Sequence, residues 1–141
     1  MKTILYKAFA FFSCIWLFGC NRAPAPSATG LISSPGDFKS PDQKYALHIE
    51  ISPKRLVFYS IKDFASGQIV VSDTTGTNLQ RWFFYWDNES NLWVHSSDIG
   101  GCVWQNNNGK YAKRTFDEKD DLRAITPPAY YQNLPDAIKR P

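Results

Sequence analysis

Arg81-Trp82-Phe83-Phe84-Tyr85-Trp86-Asp87-Asn88-Glu89-Ser90-Asn91-Leu92-Trp93-Val94-His95-Ser96 is the stretch that decides the fold class of this chain. Aromatic and β-branched side chains suit a pleated surface. Read as strands, 81–86 and 92–96 flank a polar loop of hairpin length, Asp87-Asn88-Glu89-Ser90-Asn91. Successive side chains of a strand point to opposite faces, so Trp82, Phe84 and Trp86 share one face and Phe83 and Tyr85 the other. Trp93 lies across the hairpin, within reach of cross-strand ring pairs.

The same period continues on both sides. In Tyr45-Ala46-Leu47-His48-Ile49-Glu50-Ile51 the residues Tyr45, Leu47, Ile49 and Ile51 alternate with Ala46, His48 and Glu50, as in a half-buried strand. Further strands are expected over 56–64, 68–73, 102–105 and 111–116, with a polar loop over 74–79. About six short strands with turn residues every 8–12 positions read as all-β, a single antiparallel meander sheet, blade-like or a small open barrel. No amphipathic helix is expected between residues 42 and 125, and Pro135-Asp136-Ala137-Ile138 marks a final short helical turn.

The amino-terminal end has a different character. Lys2 and Lys7 precede an apolar run over 8–18, which ends at Gly19-Cys20. A positive end followed by about 7–15 apolar residues is the layout of an export signal, and the run falls short of the roughly 20 residues that span a bilayer. Leu17-Phe18-Gly19-Cys20 resembles the lipobox of bacterial lipoproteins, with Phe18 bulkier than is usual at its place. The resemblance implies cleavage before Cys20, a diacylglyceryl group on its thiol and a further acyl chain, such as palmitate, on the new amino terminus. Several acyl chains, at about 0.8 kcal/mol per buried CH₂, hold a domain firmly at a membrane. Asn21 stands where an Asp commonly signals inner-membrane retention in enterobacterial lipoproteins, which implies the periplasmic face of the outer membrane in a Gram-negative source. Pro24, Pro26, Pro35 and Pro41, among Ser and Ala, read as an unstructured tether. The expected division is therefore signal 1–19, lipidated Cys20 and tether 20–41, β domain 42–125 and a Pro/Tyr-containing tail 126–141.

At 141 residues the chain holds one small domain. Its formal charge of +3 includes Lys2 and Lys7, so the mature chain is close to neutral. Lys113-Arg114 and Lys139-Arg140 are isolated pairs, and Asp117, Glu118, Asp120 and Asp121 adjoin the first. A nucleic-acid partner needs a basic patch, and none is expected. With Cys14 in the signal and Cys20 acylated, Cys102 is the remaining thiol, expected buried and inert, and no intramolecular disulfide is possible.

Residues that carry chemistry are sparse. His48 and His95 are expected on strand surfaces, without the clustered ligands of a zinc site. His95-Ser96-Ser97-Asp98 holds the residue types of a hydrolytic triad, but strand neighbours face opposite ways and no nucleophile elbow is present. The loop 87–91 alternates oxygen-bearing side chains but lacks the Gly and bidentate Glu of a calcium loop. Gly100-Gly101 is too short to cradle a phosphate. No catalytic residue, metal or cofactor is expected.

One sheet has two faces, and the aromatic residues serve the core alone or a core plus a contact face. Trp82, Phe84, Trp86 and Trp93 are the candidate binding face. Pro127-Pro128-Ala129-Tyr130-Tyr131 is the alternative cover for the second face. Ser40-Pro41-Asp42-Gln43-Lys44-Tyr45, and Trp86-Asp87 through Leu92-Trp93-Val94-His95-Ser96-Ser97-Asp98, resemble strands of a β-propeller blade, with Gln43 where such turns carry Gly. The chain also resembles small bacterial lipoproteins with a solitary sheet domain, a resemblance that implies no particular activity. The expected function is a lipid-anchored, non-enzymatic module contacting an envelope protein or glycan. The alternatives are a saccharide- or peptidoglycan-binding module that uses exposed Trp, and an inhibitor or immunity-type lipoprotein that binds one enzyme or toxin.

Overall fold

A computed structural model describes residues 30–78 and 81–139. The expected signal, Cys20 and residues 21–29 of the expected tether lie outside the described residues. The described chain is all-β with antiparallel strands, as expected. Its strands are β1 (Leu31–Ile32), β2 (Gly36–Lys39), β3 (Tyr45–Ile51), β4 (Leu56–Asp63), β5 (Ile69–Asn78), β6 (Trp82–Trp86), β7 (Leu92–Ser96), β8 (Gly100–Asn107) and β9 (Lys110–Thr115), and two short helices follow, α1 (Leu122–Ile125) and α2 (Pro128–Asn133).

These strands divide between two sheets where a single meander was expected. One sheet has the order β2-β3-β4-β5 and the other β1-β6-β7-β8-β9. Two successive four-stranded meanders thus repeat in topology without repeating in sequence. The reason for the division is that both meanders have an apolar inner face and neither has enough other structure to cover it. Tyr45, Leu47, Ile49, Val57, Tyr59, Ile61 and Val71 from one sheet pack with Ile32, Phe84, Trp86, Leu92, Val94 and Cys102 from the other. The Tyr59 and Phe84 rings meet edge to face at 4.8 Å, an arrangement favoured by the ring quadrupoles.

Residues 31–39, expected in the tether, instead form β1 and β2. Leu31 and Ile32 pair with Tyr85 and Phe84 at the edge of the larger sheet. The chain then crosses, and Gly36, Asp37, Phe38 and Lys39 pair with β3. Prolines at 35 and 41 sit at the two ends of β2, where no ladder N–H is required. The expected loop over 74–79 is also a strand as far as Asn78: β5 continues past a register shift opposite Val57 and Tyr59, the mark of a bulge that lets a polar segment stay paired.

Turn chemistry explains the joints. Ser40 Oγ donates to Asp42 Oδ1 at 2.6 Å and accepts from Tyr45 N at 3.0 Å, which closes the β2–β3 turn. Gln43 adopts φ 60°, the left-handed conformation that glycine supplies without steric cost. In the β6–β7 loop, Asp87 Oδ1 accepts from Glu89 N and Asn91 N, both at 2.9 Å. Its Oδ2 accepts from Asn91 Nδ2 at 2.9 Å and Trp93 Nε1 at 2.8 Å. This carboxylate ties a hairpin together.

The outer face of the larger sheet carries a second core. Phe83, Trp93 and Val103 pack there with Tyr130 and Leu134 from the carboxyl-terminal segment. That segment, expected as a tail from residue 126, is the cover the Pro-Pro-Ala-Tyr-Tyr motif offers. A helix lies over 128–133, where Pro128 at the first helical position pre-sets φ, and the expected turn at Pro135 follows it, closed by Ile138 N donating to Pro135 O at 2.9 Å. Asp121 caps the one-turn helix α1 by accepting from Arg123 N and Ala124 N, a helix not anticipated within 42–125.

Candidate functional site

β6 and β7 place their side chains in two different compartments. Trp82, Phe84 and Trp86 point toward the smaller sheet, and Phe83 and Trp93 toward α2. Phe84 is fully buried, and Trp86 and Trp93 nearly so, with only Trp82 partly open. Trp82, Phe84, Trp86 and Trp93 therefore do not form one contact face. The register explains the separation: Trp93 stands opposite Tyr85, which puts it on the other side of the sheet from Phe84.

β7 is buried at every position, Leu92 to Ser96. It is the central strand of a sheet covered on both faces, so its alternation of polar and apolar residues is lost. His95, expected on a surface, is 2% exposed. Its ring lies 4.9 Å from that of Phe83, its direct cross-strand partner. On its other side stands Gly101. Burial holds the His95 imidazole below its usual pKa of 6.5, because a charged ring is disfavoured away from water. His95 Nε2 is sealed from solvent and has no hydrogen-bond partner among the described residues.

A cleft of about 280 Å³ opens where β1, the start of β6, the end of β7 and the segment after α2 converge. Leu31, Trp82, Phe83 and Pro135 give it apolar walls, and Ser33, Arg81, His95 and Asn133 supply polar groups. His95 is the only residue lining this cleft that carries a buried side-chain polar atom without a partner among the described residues. Arg81, an exposed residue, brings a positive charge to the rim. Among the described residues, no acidic residue lines it.

The triad-like run does not assemble. Ser96 Oγ donates to Asp98 Oδ1, and Ser96 and His95 project to opposite sides of β7. His48 lies on the smaller sheet, where its Nδ1 meets Asp37 Oδ1 at 2.8 Å.

A polar network crosses between the sheets. Trp104 Nε1 donates to Tyr59 Oη at 2.9 Å, and Tyr59 Oη donates to Asp73 Oδ2 at 2.9 Å. Lys113 Nζ reaches the same oxygen at 3.2 Å. The Asp73 side chain is 6% exposed, and a carboxylate so placed needs these donors. Burial pushes the neighbouring Cys102 thiol up to about 11, with Lys113 acting in the opposite direction, so it is protonated and unreactive at neutral pH. Nothing in the isolated motifs marked this network: its members come from four strands.

No family model matches this chain, and neither a curated protein nor a solved structure is significantly similar to it.

Proposed function

We propose that this chain is a lipid-anchored, extracytoplasmic binding module held close to the membrane surface of the cell envelope. The observation that carries the reading is the spacing between Leu17-Phe18-Gly19-Cys20 and the folded body. The first strand, β1, begins at Leu31 and is paired with β6, so ten residues, 21–30, stand between it and Cys20. At about 3.5 Å per residue at most, that spacer reaches roughly 35 Å, half of what a tether ending at 41 would allow. Leu31 and Ser33, the first residues past the spacer, line the His95 cleft. The cleft thus includes described residues close in sequence to Cys20.

Binding, in preference to turnover, is supported by the make-up of the cleft. Ser33 is its hydroxyl group, and His95 Nε2 takes no hydrogen bond from it; an activated nucleophile needs that contact with its base. The buried positions of Trp86 and Trp93 give no support to stacking of saccharide rings.

Anchoring is tested by expressing the full chain in a bacterium, separating membranes and determining the mass of the amino-terminal peptide. The expected result is a membrane-bound protein that begins at acylated Cys20, with Cys20→Ser released or unprocessed. A soluble product that keeps Met1 and carries no acyl group would overturn the reading.

A further inference from the structure

We infer that the end of the sandwich bearing the β4–β5 turn lies against the membrane, with Phe64 and Ile69 set into the head-group region and Lys39 and Lys62 on lipid phosphates. This placement rests on the acylation of Cys20 and adds which surface of the body meets the lipid. Three observations converge. The first is a patch. Lys39, Ala46, Lys62 and Ile69 stand opposite one another in a row across β2, β3, β4 and β5. Phe64 follows at the turn, with Lys39 Nζ 3.8 Å from its ring centroid. Phe64 is 50% exposed and Ile69 55%, and among the described residues no hydrophobic cluster forms over them. The second is the route of the chain. Leu31 pairs with Tyr85 and Ile32 with Phe84, antiparallel, so the chain enters β1 from the side of Trp86 and the 87–91 loop. That loop, the β2–β3 turn and the β8–β9 turn meet around a polar depression lined by Glu89, Asp42, Lys44 and Asn108. Phe64 N donates to Lys44 O at 2.7 Å, which brings the β4–β5 turn to the same end. The third is charge. Lys39, Lys44 and Lys62 border the turn. The nearby Asp42 and Asp63 carboxylates are engaged within their own turns, each accepting from a serine hydroxyl and a backbone N–H.

The patch has the chemistry of an interfacial contact. An aromatic and an aliphatic side chain enter the boundary between head groups and acyl chains, while lysines lay their stems along apolar surface and keep the ammonium among the phosphates. Anionic lipids strengthen the contact. Two apolar side chains and a few lysines bind weakly by themselves. Acyl chains on Cys20 make the contact intramolecular, so that the patch has only to orient a body already held at the surface. The opposite end, with the β3–β4 turn at Pro53 and Lys54, then faces away from the bilayer.

The test expresses the full chain, purifies it from membranes and reconstitutes it into vesicles of phosphatidylethanolamine and phosphatidylglycerol with nitroxide on a fraction of the head groups. Ala65→Cys takes an environment-sensitive fluorophore at the turn. Lys54→Cys takes it at the far end of β4, roughly 25 Å away at about 3.3 Å per residue. Both positions are exposed, and Cys102 is buried. The mass of the amino-terminal peptide is determined on the same sample. Expected are a blue shift and nitroxide quenching at 65, neither at 54, and loss of both at 65 when Phe64→Ser and Ile69→Ser are added. Both of those side chains are about half exposed, so the added pair leaves the core intact. On an acylated chain, no quenching at 65, equal quenching at 54, or quenching at 65 unchanged by the serine pair would overturn the inference and leave the anchoring reading standing. A blue shift at 65 without quenching would put the turn against a second copy of the chain and overturn it equally. A chain without acyl groups would remove both readings.

Discussion

The Tyr130 hydroxyl donates a 2.8 Å hydrogen bond to the main-chain carbonyl of Val94, across 36 positions of sequence. Tyr130 is fully buried and Val94 sits in the middle of β7, the central strand of the larger sheet. Burial pushes the Tyr130 hydroxyl well above the usual tyrosine pKa, so it stays a donor. The bond fastens the carboxyl-terminal segment to the sheet, and the rings of Phe83 and Trp93 lie 5.3 and 5.6 Å from that of Tyr130. Tyr130→Phe removes the hydrogen bond alone and is expected to cost about 1 kcal/mol. Tyr130→Ala also empties a fully buried site and is expected to cost about 3–5 kcal/mol. Urea unfolding followed by tryptophan fluorescence measures both, and equal costs for the two variants would refute the packing role of the ring.

Gly101 makes that docking possible. A Cβ at this position would lie 2.9 Å from Phe116 Cδ2 and 3.0 Å from Tyr130 Oη. Gly101→Ala is therefore expected to destabilise by about 1–3 kcal/mol, as overpacking does. The cost should shrink when Phe116 is shortened to Leu, since sites in contact are non-additive. Thermal unfolding of the two single variants and the double variant checks this.

Asp73 holds the strands of the two sheets together through Tyr59 and Lys113. Asp73→Ala leaves the buried Tyr59 hydroxyl without this acceptor and is expected to cost about 1–3 kcal/mol. Lys113→Met, at a position whose side chain is 37% exposed, is expected to cost no more than about 1 kcal/mol. The double variant should be less destabilised than the sum, because the lysine loses its partner along with Asp73. Additivity in denaturant unfolding would show the ion pair to be uncoupled.

His95 makes stability depend on pH. The unfolded chain protonates this imidazole near its usual pKa of 6.5, and burial lowers the folded value. The unfolded state therefore binds more protons between the two values. Stability from this group is fully present above pH 6.5 and falls as the pH drops below it, by at most about 1.4 kcal/mol per pH unit, until the folded group itself titrates. Denaturant midpoints at about pH 7.5 and about pH 5.5 should differ in this direction, and His95→Gln should reduce the difference. A midpoint that rises on acidification would contradict the assignment.

Much of the fold was legible locally. The Tyr45, Leu47, Ile49 alternation is the buried face of β3, and the loop at Asp87 joins β6 to β7 as its hairpin composition implies. The two-residue strand β1 was not legible, because Leu31–Ile32 carries no period of its own and is held by Tyr85 and Phe84. Which of the two readings of the aromatic residues holds, core alone or core plus contact face, was not legible for a related reason. Which face of a strand is solvated depends on what arrives to cover it, and local sequence carries no record of that.

The two histidines mark the boundary between what sequence and tertiary structure each decided. Leu47-His48-Ile49 and Val94-His95-Ser96 both place an imidazole in a strand beside apolar residues. The sequence by itself determined the strands from β3 onward in outline, most of their turns, the scarcity of catalytic motifs and the lipobox-like Leu17-Phe18-Gly19-Cys20. Only the tertiary structure decided that His48 stays partly solvated against Asp37 while His95 is enclosed beside Phe83 at the cleft. Periodicity encodes the direction of each side chain relative to its own strand. The carboxyl-terminal segment that packs on the outer face around Phe83, Trp93 and Tyr130 is distant in sequence from both histidines, and it covers one sheet and not the other.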